Sequence, residues 1–491
     1  RYSTDAIWLV PHFEKMLYDN GMLASIYARS YEFTGDGFHG AIVQETLDYV
    51  LREMVDQGGA FWSAQDAESN AREGESYLWT PEEIREVVRS SDMSEEWADF
   101  ANQTYGLDQG TNFRDPHHPH APASNVLFLP SHPKVLADAA GLTVEEFHDR
   151  MTQINSALLD RRDLRDQPTT DDKILVGWNG LMIGGMADGG RILSEPRYVD
   201  AARRAADWIQ SNMWSAEGGL LRTARGERVS EIPGFLEDYA MLIQGLLRLY
   251  EATEESQYLM WSQELAGQAR ERFYDQGNGW YDAPAGDESL FVRGRSFYDG
   301  ALPSGTSVML DNYRRLSELT GDPVWLIRAE ETLAPMAHAV NRSPRGTAQA
   351  TAAIHHLRDL DSARFGGGLP AEEGPVEAAI ERSASGGGIE LVLRIQDTWH
   401  VALSASDGVI PVSVQSSITG VEVHADWPQG VPYSGPVGSM QVLSGVVRVP
   451  LQVSGSTNGP ISIAVNWQAC NDRICLRPVT RMLTISTGEG N

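Results

Sequence analysis

Three stretches share one plan: LDYVLREMVDQGGAFW (47–62), ADWIQSNMWSAEGGLL (206–221) and AGQARERFYDQGNGWY (266–281). Each is a helical pattern that ends in Met or Phe, passes a short Gly-bearing turn and resumes on an aromatic or leucine pair. Each follows a short connector, FTGD (33–36), LSEP (193–196) or TEES (253–256), which itself follows another helical pattern. LTGD (319–322) introduces a fourth unit. Self-similarity at this scale marks a repeat architecture, and the unit here is a helical hairpin. Hairpins stack in a line or close into a toroid; periodicity alone leaves both open.

At a matching distance before the connectors stand Tyr18–Asp19, Trp178–Asn179, Asp238–Tyr239 and Ser304–Gly305. If the hairpins close into a ring, the first helices form its inner wall and these pairs meet at one mouth. Asp238 interrupts an apolar stripe that includes Leu242 and Leu246, and a carboxylate there is costly unless it is bonded or used. Taken singly, each residue also reads as a first-turn or capping residue; the coincidence of four favours a pocket. VPHFEKMLYDN (10–20) predicts a helix opening at Pro11, with His12, Glu14 and Asp19 near the same mouth.

At 491 residues the chain has room for two or three domains, and 42% hydrophobic content with 13 tryptophans supports sizeable cores. Against 39 Lys and Arg stand 68 Asp and Glu, a formal charge of −29. Such a surface repels nucleic acid and anionic membrane, so neither is expected as a partner. No apolar run approaches bilayer length and no signal-peptide pattern opens the chain. Beginning at Arg1, the chain reads as part of a longer one.

From about residue 374 the pattern alternates. GIELVLRI (388–395), VRVPLQV (447–453) and ISIAVNW (461–467) are half-buried strands separated by turn residues, as in an antiparallel sandwich. DSARFGGGLPAEEGP (361–375) reads as linker. The expected organisation is an all-α domain over 1–358, a linker over 359–373 and an all-β domain over 374–488. The two cysteines, Cys470 and Cys475, leave a local disulfide or a redox dithiol open. DPHHPH (115–120) is broken by two prolines and is not taken as a metal site. FGGG (365–368) and SGGG (385–388) are linker glycines and not phosphate loops. No cofactor and no metal is expected.

RYSTDAIWLVPHFEKMLYDN (1–20), FWSAQDAES (61–69), DDKILVGWNGLMI (171–183), GFLEDYAMLIQGLLRLYEAT (234–253) and FYDGALPSGTSV (297–308) together resemble a known family. It comprises the bacterial YyaL-type and animal spermatogenesis-associated proteins, which join a thioredoxin-like domain to an (α/α)6 barrel. The resemblance implies a six-hairpin-glycosidase toroid, the barrel class of N-acylglucosamine 2-epimerases and many glycoside hydrolases. It also implies that the thioredoxin-like domain and part of the first hairpin are missing here. A fold does not carry a reaction. DTWHVAL (397–403), DGVIPVSV (407–414), DWPQG (426–430) and NWQACNDRICLRP (466–478) are similar to the immunoglobulin-like N-terminal domain of the periplasmic thiol:disulfide interchange protein. There a cysteine pair accepts electrons and passes them to partner oxidoreductases. Here Trp467 stands in place of a Tyr, and Arg477–Pro478 in place of a Pro pair. Cys470 and Cys475 are read as redox residues, with a fixed structural disulfide as the alternative.

Sugar chemistry at a barrel mouth needs carboxylates and aromatic platforms; hydrolysis uses a pair of carboxyls, and epimerisation an acid/base pair that usually includes histidine. The catalytic set expected is His12, Glu14, Asp66, Glu237 and Asp238. The substrate-binding set is Tyr18, Asp19, Trp178, Asn179, Tyr239, Asp299 and Ser304. Asp66 has an Asx-turn as its alternative. The leading expectation is a sugar epimerase, isomerase or glycosidase-like enzyme that takes a small sugar or glycan, fused to a redox sandwich with a thioredoxin-like partner. The runner-up is a thioredoxin-linked redox protein whose barrel is a scaffold or glycan-binding module. The first resemblance points to the cytoplasm, which is the favoured expectation, and the second to the periplasm or export as the alternative.

Overall fold

Periodic apolar residues fold into thirteen α-helices among the described residues: α1 (Leu17–Thr34), α2 (Gly37–Glu53), α3 (Pro81–Ser90), α4 (Glu95–Thr104), α5 (Pro133–Ala140), α6 (Val144–Asp163), α7 (Val176–Leu193), α8 (Pro196–Asn212), α9 (Leu236–Thr253), α10 (Ser256–Phe273), α11 (Gly305–Thr320), α12 (Pro323–Arg342) and α13 (Ala348–Phe365). The computed structural model describes residues 2–115, 118, 120, 122–286, 290–365, 375–383, 388–404, 409–416, 421–435, 438–455, 461–471 and 475–485. The chain divides into two compact units, Arg1–His356 and Leu357–Asn491. Helix α13 runs to Phe365, into the stretch expected as linker; 366–374, with most of FGGG and SGGG, lies outside the described residues.

In the first unit α1/α2, α7/α8, α9/α10 and α11/α12 form antiparallel hairpins, and their first helices pack side by side in the order α1–α7–α9–α11. Helices α3 to α6 are inserted between α2 and α7; Trp79, Ile84, Val88, Ala101, Ile154 and Leu158 form a separate core there. The strongest packing between inner helices runs in one series from α1 to α11, an arc of four hairpins. Leu23, Ile26 and Phe33 of α1 are exposed and share one helix face.

Each of the first three hairpins is closed by the same backbone hydrogen bond. The amide of the first residue of the inner helix donates to a carbonyl 46 positions on: Leu17 to Ser63, Val176 to Arg222 and Leu236 to Asp282. Those acceptors are the residues that follow the three repeated stretches. Within each stretch the chain turns back through a second repeated bond, Trp62 to Met54, Leu221 to Met213 and Tyr281 to Phe273. The turns need a positive φ, which Gly59, Gly219 and Gly279 adopt at 99°, 77° and 80°. Since α1 and α7 have no side-chain N-cap, the returning carbonyl satisfies an amide that the helix itself cannot.

Glycines set the approach of the inner helices. A Cβ on Gly180 would stand 2.5 Å from the Met241 carbonyl and the Leu242 nitrogen, and one on Gly21 or Gly185 would meet backbone carbonyl oxygen at 2.7 Å. Gly245 faces the Gly180 carbonyl from α9. At the opposite end of these helices buried charges are paired: Asp188 lies 3.3 Å from Arg248 and 3.5 Å from Arg29, and Arg314 lies 2.7 Å from Asp311. Burial alone would raise the Asp188 carboxyl, but Arg248 and Arg29 hold it below its ordinary value.

The second unit is a β-sandwich of antiparallel strands. One sheet runs Val376–Arg382, Ile389–Ile395, Val446–Ser454, Glu422–Ala425. The other centres on Ile461–Cys470, which pairs with Cys475–Ile485 along one edge and with Ser413–Ser416 and His400–Ala402 along the other. Leu391, Leu393, Val449, Ile463, Val465 and Trp467, on the period-two faces read from the sequence, form the shared core with Val401.

In an exposed helix, alanine for glycine gains roughly 1 kcal/mol. Gly180→Ala is expected instead to lower the melting temperature, since forcing a methyl into a filled contact costs about 1–3 kcal/mol. Gly267→Ala on α10, where a Cβ would meet nothing within 4 Å, is the control and is expected to raise it. Thermal unfolding of the two variants checks the pair; equal shifts would contradict this packing.

Candidate functional site

The chain reaches α1 by an extended path and not as the helix predicted from Pro11. Asp5 causes this: its carboxylate accepts the amides of Ile7, Leu9 and Val10 at 2.8, 3.2 and 2.6 Å, which winds residues 5–10 into a turn. The Val10 amide and its neighbours hold that carboxyl below its ordinary value. Pro11 then pairs with Ser3, Lys15–Met16 pairs with Ala64–Gln65, and the helix begins only at Leu17. A strand-like segment therefore carries His12 and Glu14 over the N-terminal end of α1.

His12 donates its amide to the Tyr2 carbonyl at 2.9 Å, and its ring stacks on Tyr2 with centroids 4.9 Å apart. Its Nδ1 lies 3.8 Å from Glu14 Oε2. The pair lines two cavities. The smaller, about 180 Å³, is shared with Met16, Asp19 and Asn20. The larger, about 800 Å³, is shared with Asp66, Glu68, Glu73 and Arg114. Asp66 is exposed beyond the strand Ala64–Gln65, and its Oδ1 accepts the Glu68 amide at 3.3 Å, the Asx-turn contact given as its alternative. Met16, which lines the smaller cavity, packs with Leu181, Met241 and Leu302 beside Tyr18 and Trp178, whose rings meet edge to face at 4.8 Å.

Asn179, Asp238 and Tyr239, expected at the mouth, are turned into the wall. Asn179 is fully buried; it accepts the Phe61 amide at 2.8 Å and donates to the Phe61 and Leu175 carbonyls. Asp238 accepts the Phe235 amide at 2.9 Å, the Gly177 amide at 3.3 Å and Arg222 at 2.7 Å, so it ties α9 to the start of α7. Burial pushes its carboxyl up to about 6 against the pull of Arg222. The Tyr239 hydroxyl accepts the Leu220 amide at 2.9 Å. The physical reason is common to all three: the first turn of a tightly packed inner helix faces its neighbours, and buried polar atoms there must be bonded.

Glu237 is partly exposed, pairs with Arg222 at 2.7 Å, and lines a cavity of about 430 Å³ with Asp282, Tyr298 and Ser304. Ser304 caps α11 by accepting the Ser307 amide at 3.1 Å. Asp299 accepts the amides of Ser304 and Gln349, both at 2.9 Å, and acts as a brace. Sequence reasoning missed Arg222 and Lys15. Arg222 had a signal, since it follows the second repeated stretch at the position of Ser63 and Asp282. Lys15 donates to the Phe13 carbonyl at 2.7 Å and lies 3.5 Å above the Tyr77 ring. Burial, with Arg162 nearby, lowers its ammonium to about 7, although Glu53 pulls the other way. In the DPHHPH loop His118 sits 2.8 Å from Asp115; His117 lies outside the described residues.

In the sandwich Cys470 and Cys475 are disulfide-bonded at 2.03 Å across the last rung of their strand pair. Cys470 is buried and Cys475 half-buried.

A unit of helical hairpins with an ionisable mouth, in one chain with a β-sandwich that carries a cross-strand disulfide, defines the class. Residues 371–487 match the family model of the thiol:disulfide interchange protein DsbD, N-terminal. The chain is similar to spermatogenesis-associated protein 20 of Homo sapiens, 34% identical over 366 residues that cover 70% of this chain and 47% of that protein. The chain spans about half the length of the curated relatives it matches. Among solved structures it is similar to a sugar epimerase from a ruminal bacterium (9% identity, TM-score 0.39, 67% of this chain and 61% of that one). It is also similar to the reduced DsbD N-terminal domain of Neisseria meningitidis (18% identity, TM-score 0.20, 26% of this chain and 94% of that one). Both resemblances read from the sequence are found in these likenesses. Among the described residues no helix is long and apolar enough to cross a membrane.

Unfolded, a lysine titrates near 10.4, so from about pH 7 upward the unfolded chain binds a proton that Lys15 in the folded protein has released. Stability from this group therefore rises with pH between those values. Lys15→Met is expected to raise the melting temperature most at pH 7 and below, with the gain shrinking toward pH 10. A gain that does not change with pH would contradict the lowered ammonium.

Proposed function

We propose that the helical unit is a carbohydrate-active enzyme, a sugar epimerase, isomerase or glycosidase-like hydrolase, working at the N-terminal ends of its inner helices. One observation carries this reading: the His12–Glu14 pair at 3.8 Å stands between two cavities, with Asp19 in one and Asp66 in the other. An imidazole beside a carboxylate can take and return a proton near neutral pH, and Asp66 supplies a second carboxyl. Tyr18 and Trp178 offer an aromatic floor, Asp19 orients hydroxyls, and Glu237 serves the neighbouring cavity. On this reading the arc is part of an (α/α)6 barrel. Asn179, Asp238, Tyr239, Asp299 and Ser304 support the wall.

A second reading concerns the sandwich, taken as immunoglobulin-like. Its disulfide, with Cys470 buried and Cys475 only partly buried at a strand end, has the asymmetry wanted for exchange with a thioredoxin-like dithiol partner.

The test is a thermal-shift screen of mono- and disaccharides on the parent chain, Glu14→Gln and Asp66→Asn. A sugar that raises the parent melting temperature by several degrees and leaves Glu14→Gln unmoved is the expected result, with Asp66→Asn reduced. No shift with any sugar, or equal shifts in all three proteins, would sink this reading.

A further inference from the structure

Three residues occupy one rung across three strands of the sandwich. His400 lies directly opposite Cys470, and Cys470 directly opposite Cys475. Directly opposed residues of an antiparallel pair project to the same face with Cβ atoms roughly 5 Å apart. An imidazole therefore flanks the disulfide on the side of its buried sulfur. The surroundings are apolar: Ala402, Val409, Met440 and Val442 pack with Cys470, Cys475 and the Tyr433 ring. His400 is itself only 5% exposed, and its ring centroid lies 4.0 Å from that of Tyr433.

We propose that His400 is the proton donor for thiol–disulfide exchange at Cys470–Cys475, a role that rests on the second reading above. A dithiol partner, as its thiolate, attacks Sγ of Cys475, the less buried residue of the pair. The S–S bond breaks, a mixed disulfide forms, and Cys470 Sγ departs with the electron pair. A thiolate left in an apolar cluster is costly, and the cost falls on the leaving step. The imidazolium of His400 gives that sulfur its proton and recovers one from water. The partner's second thiolate then attacks its own sulfur in the mixed disulfide and releases Cys475, which is protonated from solvent. Two electrons pass from the partner, which becomes a disulfide, to Cys470 and Cys475, which become thiols.

Among the described residues the titratable groups on this face from the strands packed around His400 include Tyr433, Cys470 and Cys475. Gly438–Leu443 carries none, Arg481 pairs with Val465 farther along, and Asp397 is exposed in the turn before His400.

The chain has two cysteines, so thiol counting reads this bond alone. The full chain is reduced with dithiothreitol between pH 5.5 and 8, quenched by alkylation, and each rate is divided by the dithiothreitol thiolate concentration. The normalised parent rate is expected to fall as pH rises through the imidazole range. His400→Asn is expected to be flat with pH and about a hundredfold slower at pH 6, at the lower edge of general-acid effects. A flat parent profile overturns the role of His400 whatever the variant does, and so does an identical slope in His400→Asn. A parent whose bond is not reduced while the protein stays folded overturns the exchange reading itself, and this inference with it.

Discussion

One hydrogen bond, made three times, organises the helical unit. The first amide of an inner helix has no partner within its own helix. Leu17, Val176 and Leu236 each find one in a carbonyl 46 residues on, delivered by the turn that follows the outer helix. The bond does more than satisfy a donor. It fixes where the chain emerges after each hairpin, and so places Asp66, Arg222 and Asp282 beside the inner-helix ends. Glycine contacts at Gly21, Gly180, Gly185 and Gly245 then bring those helices close enough to share a wall. Repeat, packing and site are three consequences of one local geometry.

That geometry also explains which polar residues are available for chemistry. A residue in the first turn of a closely packed helix meets its neighbours before it meets solvent. Asn179, Asp238 and Tyr239 accordingly spend their hydrogen-bonding capacity on Phe61, Gly177, Phe235, Arg222 and Leu220. His12 and Glu14 lie outside that first turn because they precede the helix on an extended segment, and Asp66 because it lies past a strand.

The hairpins, the connectors, the level of the first turns and the period-two strands were legible in the sequence, because periodicity and turn residues report local structure directly. The start of α1 was not. Apolar spacing from Phe13 onward fits a helix, but the Asp5 turn and the pairing of Lys15–Met16 with Ala64–Gln65 override it, and neither partner is near in sequence. Matching positions near the helix starts revealed a common level but not a direction, since period alone cannot tell a mouth from a wall. Arg222 was readable as the residue after a repeated stretch; the lowered ammonium of Lys15 was not, because it depends on Arg162 and Glu53 brought in by tertiary packing. The rung of His400, Cys470 and Cys475 joins residues seventy positions apart through strand register alone.

Native-state hydrogen exchange at single-amide resolution tests the closure bond most directly. First-turn helix amides ordinarily exchange readily because they bond to solvent. The amides of Leu17, Val176 and Leu236 should instead be as slow as those at the centres of their helices. Exchange at the rate of the Glu95 and Glu96 amides, exposed at the start of α4 with no side-chain cap, would contradict the account.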